Sequence, residues 1–497
     1  MNRLGISSRS LITLIWLGIG LCFPLAVHGQ APAPQATPPP PAQPRAVSLP
    51  NPTEKTLSNG LRVIVIERHS APLVAAQLII KNGGEADPPE LAGLGNMTAN
   101  LLTKGTGKRN ATQIAEAIEA LGGSLESSAR FDASLVGVNV MSSKIGPATE
   151  IFADVVRRPT FTEAEVERLR QQTLDDLIVE LGEPGSIATY VASRIVFGDA
   201  PYGKPLFGTT ESITRIDRNA IVKFHGTHYR PDNAILVLGG DIKSKDAFKL
   251  AEQYFGDWKN PLLPLPKVAA AKPLAIAVPR VIVVDKLDAG QAAVVAVRAG
   301  IARQDPDYFI GLVANSVLTG YSGRLNQEIR IRRGLSYGAG SSLSARRDVG
   351  PFSASAQTKN PSATVVAELL IKEIQRLSTE PVPDIEMTPR KAVVIGNFAR
   401  NLETAAGLVS QIGTLALYGI SFDQINRYIG SVQAVTGGDV QRFAGQRLDA
   451  RTTNLVIVGN AKEFLPELRK QYPQVEVIPV AELDLNTALL RKKPNAN

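Results

Sequence analysis

The segment Arg62-Val63-Ile64-Val65-Ile66-Glu67-Arg68 returns far along the chain as Arg280-Val281-Ile282-Val283-Val284-Asp285-Lys286. Gly83, after the apolar run Leu73 to Lys81, has a counterpart in Gly300 after Ala292 to Arg298. Asn233-Ala234-Ile235-Leu236-Val237-Leu238-Gly239 returns as Asn454-Leu455-Val456-Ile457-Val458-Gly459. All three pairs are separated by nearly the same stretch of chain. That stretch is far too long for a solenoid unit, so a whole domain is repeated. Each half reads as two strands, helices, a strand, more helices and a last apolar strand. Helices grouped in this way, instead of alternating one for one with strands, predict an α+β fold of two sandwiches. The proline-rich stretch 261–279 is the natural hinge between them.

The 497 residues are 44% hydrophobic and 20% charged, a globular composition with length enough for several cores. The N-terminus stands apart. Arg3 and Arg9 precede the apolar run Leu11 to Val27, and Val27-His28-Gly29 offers small residues for cleavage before Gln30. Residues 1–29 are expected to be a secretory signal peptide, with an uncleaved anchor as the rival reading. Residues 30–50, dominated by Ala, Pro and Gln, form an extended spacer. The expected body is an N-terminal domain over 51–260, the linker 261–279, a C-terminal domain over 280–482 and a polar tail over 483–497. Cys22, the only cysteine, lies in the signal, so no disulfide is available to the mature chain. It follows Leu21, not a small residue, which argues against a lipid anchor. The net charge of +8 drops to +6 without Arg3 and Arg9 and forms no basic cluster interleaved with aromatics. Nucleic-acid binding is therefore not expected.

The motif that matters for chemistry is Gly93-Leu94-Gly95-Asn96-Met97-Thr98-Ala99-Asn100-Leu101-Leu102. Alone, Asn96, Ala99 and Asn100 make an ordinary polar helix face. Lys104-Gly105-Thr106 closes this helix. A second amphipathic helix through Ile114, Ile118 and Leu121 ends at Leu121-Gly122-Gly123, and Ser124 to Ala129 leads into Phe131-Asp132-Ala133. Further on come Arg158-Pro159-Thr160-Phe161, then Pro201-Tyr202-Gly203-Lys204 with Gly208-Thr209, then Tyr229-Arg230-Pro231-Asp232-Asn233 before a buried strand. In this order the pieces resemble the pitrilysin/insulinase (M16) family of zinc metallopeptidases, the inverted zincins.

The resemblance implies two homologous α/β-sandwich domains closed on each other like a clamshell. It also shows what is missing. In that family His-x-x-Glu-His holds zinc with two imidazoles one helical turn apart, and its Glu deprotonates the metal-bound water. Here Asn96, Ala99 and Asn100 stand at those positions, and Asp176, in Leu174-Asp175-Asp176-Leu177, stands where the family has its third ligand. No metal and no hydrolysis are expected of this chain; zinc is expected in a partner subunit.

Arg330 and Tyr337, seven residues apart around Gly334-Leu335, match the family's Arg/Tyr motif. The resemblance implies a backbone clamp and a donor to the oxyanion, both in the inter-domain cleft. Ser124, Leu125, Glu126, Ser127, Ser128 and Ala129 form the candidate edge strand to which a peptide adds. His225 and His228 form an isolated pair expected at a surface helix end, structural or solvent-facing, and His69 has no recognisable partner.

The function expected is a non-catalytic, substrate-binding subunit of a heterodimeric zinc endopeptidase that degrades unfolded peptides. It would be exported to the periplasm and paired with a homologue bearing His-x-x-Glu-His. The alternatives are a structural or assembly subunit, or a stand-alone peptide-binding protein.

Overall fold

A computed structural model describes residues 48–275 and 278–492; the signal peptide and most of the spacer lie outside the described residues. The first half supplies β1 (Thr53–Thr56), β2 (Arg62–Glu67), β3 (Leu73–Ile80), β4 (Ser124–Ala129), β5 (Ser134–Met141) and β6 (Ala234–Gly240). The second supplies β7 (Val281–Asp285), β8 (Ala292–Ala299), β9 (Ala339–Leu343), β10 (Pro351–Thr358), β11 (Asn454–Gly459) and β12 (Glu476–Pro479). The sheet orders are β1-β2-β6-β3-β5-β4 and β12-β7-β11-β8-β10-β9. Five strands correspond in order. The sixth does not: β1 comes from the start of its half and runs antiparallel to β2, whereas β12 comes from the end and runs parallel to β7.

The first half supplies the helices α1 (Leu94–Leu101), α2 (Ala111–Glu119), α3 (Ile145–Arg157), α4 (Glu163–Gly182), α5 (Pro184–Phe197), α6 (Thr210–Arg215), α7 (Arg218–His228) and α8 (Ser244–Phe255). The second half adds α9 (Tyr308–Leu318), α10 (Ala363–Thr379), α11 (Asp384–Glu403), α12 (Ala405–Leu417), α13 (Asp423–Ala434), α14 (Gly437–Arg447) and α15 (Leu465–Gln471).

The repeated apolar runs explain how these pack. Side chains alternate across a strand, yet β2 and β7 are apolar at every interior position, so both faces of each sheet need cover. On β2, Val63 and Val65 enter a core made with the first half's own helices. Ile64 and Ile66 face the other way, into a core with Leu408, Val409 and Ile412 of α12. The second half mirrors this: Ile282 and Val284 of β7 pack against Ile187, Val191 and Ile195 of α5. Each half thus lends one helix to the other's sheet. The approach of α12 is close. A Cβ on Gly413 would stand 2.6 Å from Ile79 Cδ1, and one on Gly239 would stand 2.7 Å from Val409 Cγ2.

A polar lock fastens the same junction. Asp132, 3% exposed between β4 and β5, accepts hydrogen bonds from the Tyr202 hydroxyl, from the Tyr418 hydroxyl at 3.0 Å and from the Arg347 amide at 2.8 Å. The Arg347 guanidinium donates to the carbonyls of Lys81 and Asp132, each at 2.7 Å, and to Glu85 at 3.2 Å. Beside it, Arg346 lies over the rings of Phe131 and Tyr202, 4.0 and 4.7 Å from their centroids.

The ends of the body differ from the sequence expectation. Leu49, placed in the spacer, exchanges two hydrogen bonds with the Asn426 side chain. The segment expected as a polar tail buries Leu485 and Leu490 against α5, and Arg194 donates to the Leu485 carbonyl at 2.8 Å. Leu483, Leu485, Leu489 and Leu490 fall in too short a run to read as a helix or a strand, so nothing in the sequence announced which of them are buried.

The histidines differ too. His228 is buried, and His225 stacks on Tyr229 with centroids 4.7 Å apart while its Nε2 lies 2.8 Å from the Val156 carbonyl. Of the two expected readings, structural or solvent-facing, the structural one holds, although the helix end is not a surface one. His69 does have partners: its Nδ1 lies 2.8 Å from Asp241 and its Nε2 3.3 Å from Glu67, and the Asp241 bond, then the Glu67 bond, raise its pKa.

Two outcomes follow from this packing. Asp132→Ala leaves the Arg347 amide and two phenols without their acceptor, so urea unfolding should show a loss of about 1–3 kcal/mol. A change within about 0.5 kcal/mol, as for an ordinary surface site, would mean the lock contributes nothing. Burial pushes both His225 and His228 down to about 4. The folded state then binds fewer protons than the unfolded one, so their contribution is complete above the unfolded value near 6.5. It is lost as pH falls from there toward 4. His228→Phe should flatten the stability profile in that window by up to about 1.4 kcal/mol per pH unit. An unchanged slope would show that His228 does not titrate with unfolding.

Candidate functional site

The short helix α1 is held in place from its N-terminus. Gly93 precedes it at φ +94°, where a Cβ would sit 3.0 Å from the Gly208 amide nitrogen and 2.9 Å from Ile213 Cδ1, so glycine is required. The buried Asp87 carboxyl accepts from the Gly93 and Gly95 amides, both at 2.8 Å, satisfying donors that the first helical turn leaves free. Lys204 donates to the Asp87 carbonyl. Burial pushes the Asp87 carboxyl up to about 7, against the pull of those amides and of Lys204.

So anchored, α1 places Asn96 and Asn100 on one face, with the Asn100 amide donating to the Asn96 carbonyl oxygen at 3.3 Å. Both line a cavity of 640 Å³ together with Asp176 and Glu180 of α4, Ser127 of β4 and, at its rim, Phe207. Three of the four positions identified by the degenerate motif therefore meet in one place. Ala99 is fully buried and does not line the cavity; its carbonyl accepts from the Ser127 hydroxyl at 2.7 Å, which ties β4 to the helix. Glu180 accepts from the Tyr190 hydroxyl of α5, and burial, then that bond, raise the phenol's pKa. Glu180 stands one helical turn after Asp176, a spacing that would have found it in the sequence. Asp87 and Lys204, outside α1 and brought to it by the fold, carried no such signal.

Among the described residues β4 is an edge strand, hydrogen-bonded to β5 alone. Ser124, Glu126 and Ser128 are exposed, Leu125 and Ser127 are half-buried over α1, and Ala129 is buried. The outer rim of a sheet presents backbone donors and acceptors ready for another strand.

Chemically this is a site of carboxamides, hydroxyls, two carboxylates and the Lys104 ammonium. It can donate and accept hydrogen bonds with a peptide main chain. Zinc does not fit it. Zinc takes imidazole, thiolate or carboxylate ligands, whereas Asn96 and Asn100 offer carboxamides already bonded to each other. Among the described residues no group of three or more His, Cys, Asp or Glu side chains could hold a metal ion.

Arg330 and Tyr337 have different surroundings. Arg330 lies in a π-helical turn, Asn326–Arg332, with its guanidinium 5.6 Å from the centroid of the Tyr321 ring. Gly334, at φ +62°, turns the chain, and β9 begins at Ala339, after Tyr337. Tyr337 is 88% exposed on the rim of a 340 Å³ cavity between Gly185 and Thr189 of α5 and the strands β8 to β10; Arg330 does not line it. Tyr337 thus stands at the junction of the halves.

Comparison with known proteins agrees with this architecture. Residues 62–210 match the family model for insulinase (peptidase family M16), and residues 215–391 match the model for the peptidase M16 inactive domain. A protein of Rickettsia bellii named as an uncharacterized zinc protease is 27% identical over 413 residues, covering 81% of this chain and 97% of its own length. A Streptomyces coelicolor protein of the same description is 25% identical, covering 82% and 89%. Among solved structures, a peptidase M16 inactive domain from Pseudomonas fluorescens superimposes with a TM-score of 0.77 at 24% identity, covering 82% of this chain and 98% of that one. A protease from Helicobacter pylori gives the same TM-score at 21% identity, covering 82% and 100%, and these two likenesses speak for the fold. The two family models, matched one after the other, place the chain in the insulinase family of peptidases, peptidase family M16, with a domain of that family's inactive type.

Proposed function

We propose that this chain is the non-catalytic, peptide-binding subunit of a heterodimeric zinc endopeptidase, exported and working in the periplasm. The carrying observation is the cavity under β4. Asn96, Asn100 and Asp176 converge there as a metal site would, but with carboxamides in place of imidazoles. A chain that keeps the shape of such a site without its donor chemistry still has a use for the shape. Here that use is to hold an extended peptide: β4 offers main-chain hydrogen bonds that any sequence can satisfy, and the carboxamides beneath it bond to the peptide without selecting its side chains.

A homologue with an intact His-x-x-Glu-His motif supplies the metal and the base. Tyr337, exposed at the junction, is the group of this chain offered to the partner's substrate. Arg330, apart from that cavity, serves substrate affinity, not the chemical step.

The isolated chain should contain no stoichiometric zinc after chelator-free purification and should cleave no peptide. Zinc near one equivalent, lost with peptidase activity in Asn100→Ala, would overturn the proposal. In a complex reconstituted with the His-x-x-Glu-His homologue, Tyr337→Phe should lower kcat about 10²–10³-fold, the usual effect of losing one oxyanion donor. Arg330→Ala should raise KM and leave kcat nearly unchanged. Wild-type kinetics in both variants would remove this chain from the partner's chemistry.

A further inference from the structure

The second half contains a cavity that repeats the first one's position with a different chemistry. It measures 490 Å³ and lies among α9, α11, α12 and α13. Its α11 wall follows from the duplication. α11 (Asp384–Glu403) is the repeat of α4 (Glu163–Gly182), in register at both ends, so Asn397 and Asn401 stand where Asp176 and Glu180 stand. On α9, Leu312 and Ser316 take the places that Asn96 and Asn100 hold on α1, again one turn apart. The Ser341 hydroxyl of edge strand β9 reaches the Asn315 side chain at 2.8 Å, much as Ser127 of β4 reaches α1. In the twin both acids have become amides.

Among the described residues, the one formally charged side chain lining this cavity is Arg303, 8% exposed. Its Nη2 donates to Gln424 at 2.6 Å, and the guanidinium lies 3.7 Å from the centroid of the Tyr308 ring. Its Nη1 is buried, and among the described residues it has neither a hydrogen-bond partner nor a carboxylate at ion-pair distance. Nearby Asp305 is taken by Arg447 at 3.3 Å. The groups that act electrostatically on Arg303 are the phenols Tyr308, Tyr428 and Tyr418, and burial lowers its pKa.

A buried guanidinium without an anion is costly to keep, and a planar fork with a free nitrogen suits a carboxylate. The surrounding carboxamides, Asn397, Asn401 and Gln411, carry both donors and acceptors and match an amide backbone. The volume falls within the roughly 300–1,000 Å³ of small-ligand sites.

We propose that this twin cavity binds a free carboxylate through Arg303, either the C-terminus of a short peptide or a small carboxylic acid. The peptide source rests on the function proposed above; the carboxylate site does not.

The test is calorimetry on the whole chain without any partner, using Ala-Ala-Ala, its C-terminal amide and acetate. The free-acid tripeptide should bind and the amide should bind at least about tenfold more weakly. Arg303→Met should produce a loss of the same size, and Asn397→Asp, which puts an acid on the wall at almost unchanged shape, should also weaken binding. If Arg303→Met does not fold, the acid-against-amide comparison and Asn397→Asp decide alone. Acetate binding as tightly as the tripeptide assigns the site to small acids; tighter tripeptide binding assigns it to peptide ends. Equal affinity for acid and amide, unchanged binding in Asn397→Asp, or no binding of any probe would overturn the proposal. Because no peptidase is present, these failures say nothing against the subunit role, which is read from activity of the assembled pair.

Discussion

Each sheet is apolar on both faces, and only one of those faces is covered by helices of its own half. The exchange of α5 and α12 answers this constraint, and most of the molecule depends on it. Ile64, Ile66, Ile79 and Val237 lie under a helix that belongs to the other half of the chain. Exposing such side chains costs about 1.5–3 kcal/mol each, so four of them approach the roughly 5–15 kcal/mol that holds a whole domain folded. The halves are closed on each other as a clamshell, but a fastened one. Asp132 and Arg347 then fix at the rim an orientation that apolar burial, being non-directional, leaves loose.

The candidate site inherits its geometry from that junction. Asp132 sits in the turn that joins β4 to β5, so the strand over the Asn96 cavity is tied at one end to the second half. α4 runs directly into α5, the exchanged helix, and the Glu180–Tyr190 bond joins the cavity wall to it. Tyr337 faces that same α5 from the other side. A peptide along β4 would therefore lie beside a surface whose parts cannot move independently.

Much of this was legible in the sequence because hydrophobic periodicity reports burial directly. Val63 to Ile66 and Val281 to Val284, apolar without alternation, announced strands buried on both faces, and the constant offset announced two sheets of one design. The sequence could not say which helix covers which face, because α5 and α12 look like any apolar helix until their partner is known. Residues placed by local rules, such as Asn96 and Asn100 one turn apart, were found. Those placed by folding at a distance were not: Asp87 under α1, Lys204 on Asp87, and the two buried leucines near the C-terminus.

The two cavities show what a duplicated scaffold permits. Their walls are fixed by residues that also build the cores, such as Leu177 in the first half and Ile425 in the second. Positions that project into the space lie outside the apolar cores, and their charge differs between the halves. In the first half they hold Asp176 and Glu180, in the second Asn397 and Asn401, on helices of equal length. Replacing two acids by amides removes the negative charge that would repel a bound anion. It also removes the attraction that would have neutralised a guanidinium from within. Arg303 occupies the second cavity on those terms, stacked on a phenol and held by an amide, with its charge still unmatched among the described residues. One backbone thus carries two cavities of different charge at equivalent places, one with two acids on its long helix and one with a guanidinium and no acid among the described lining residues.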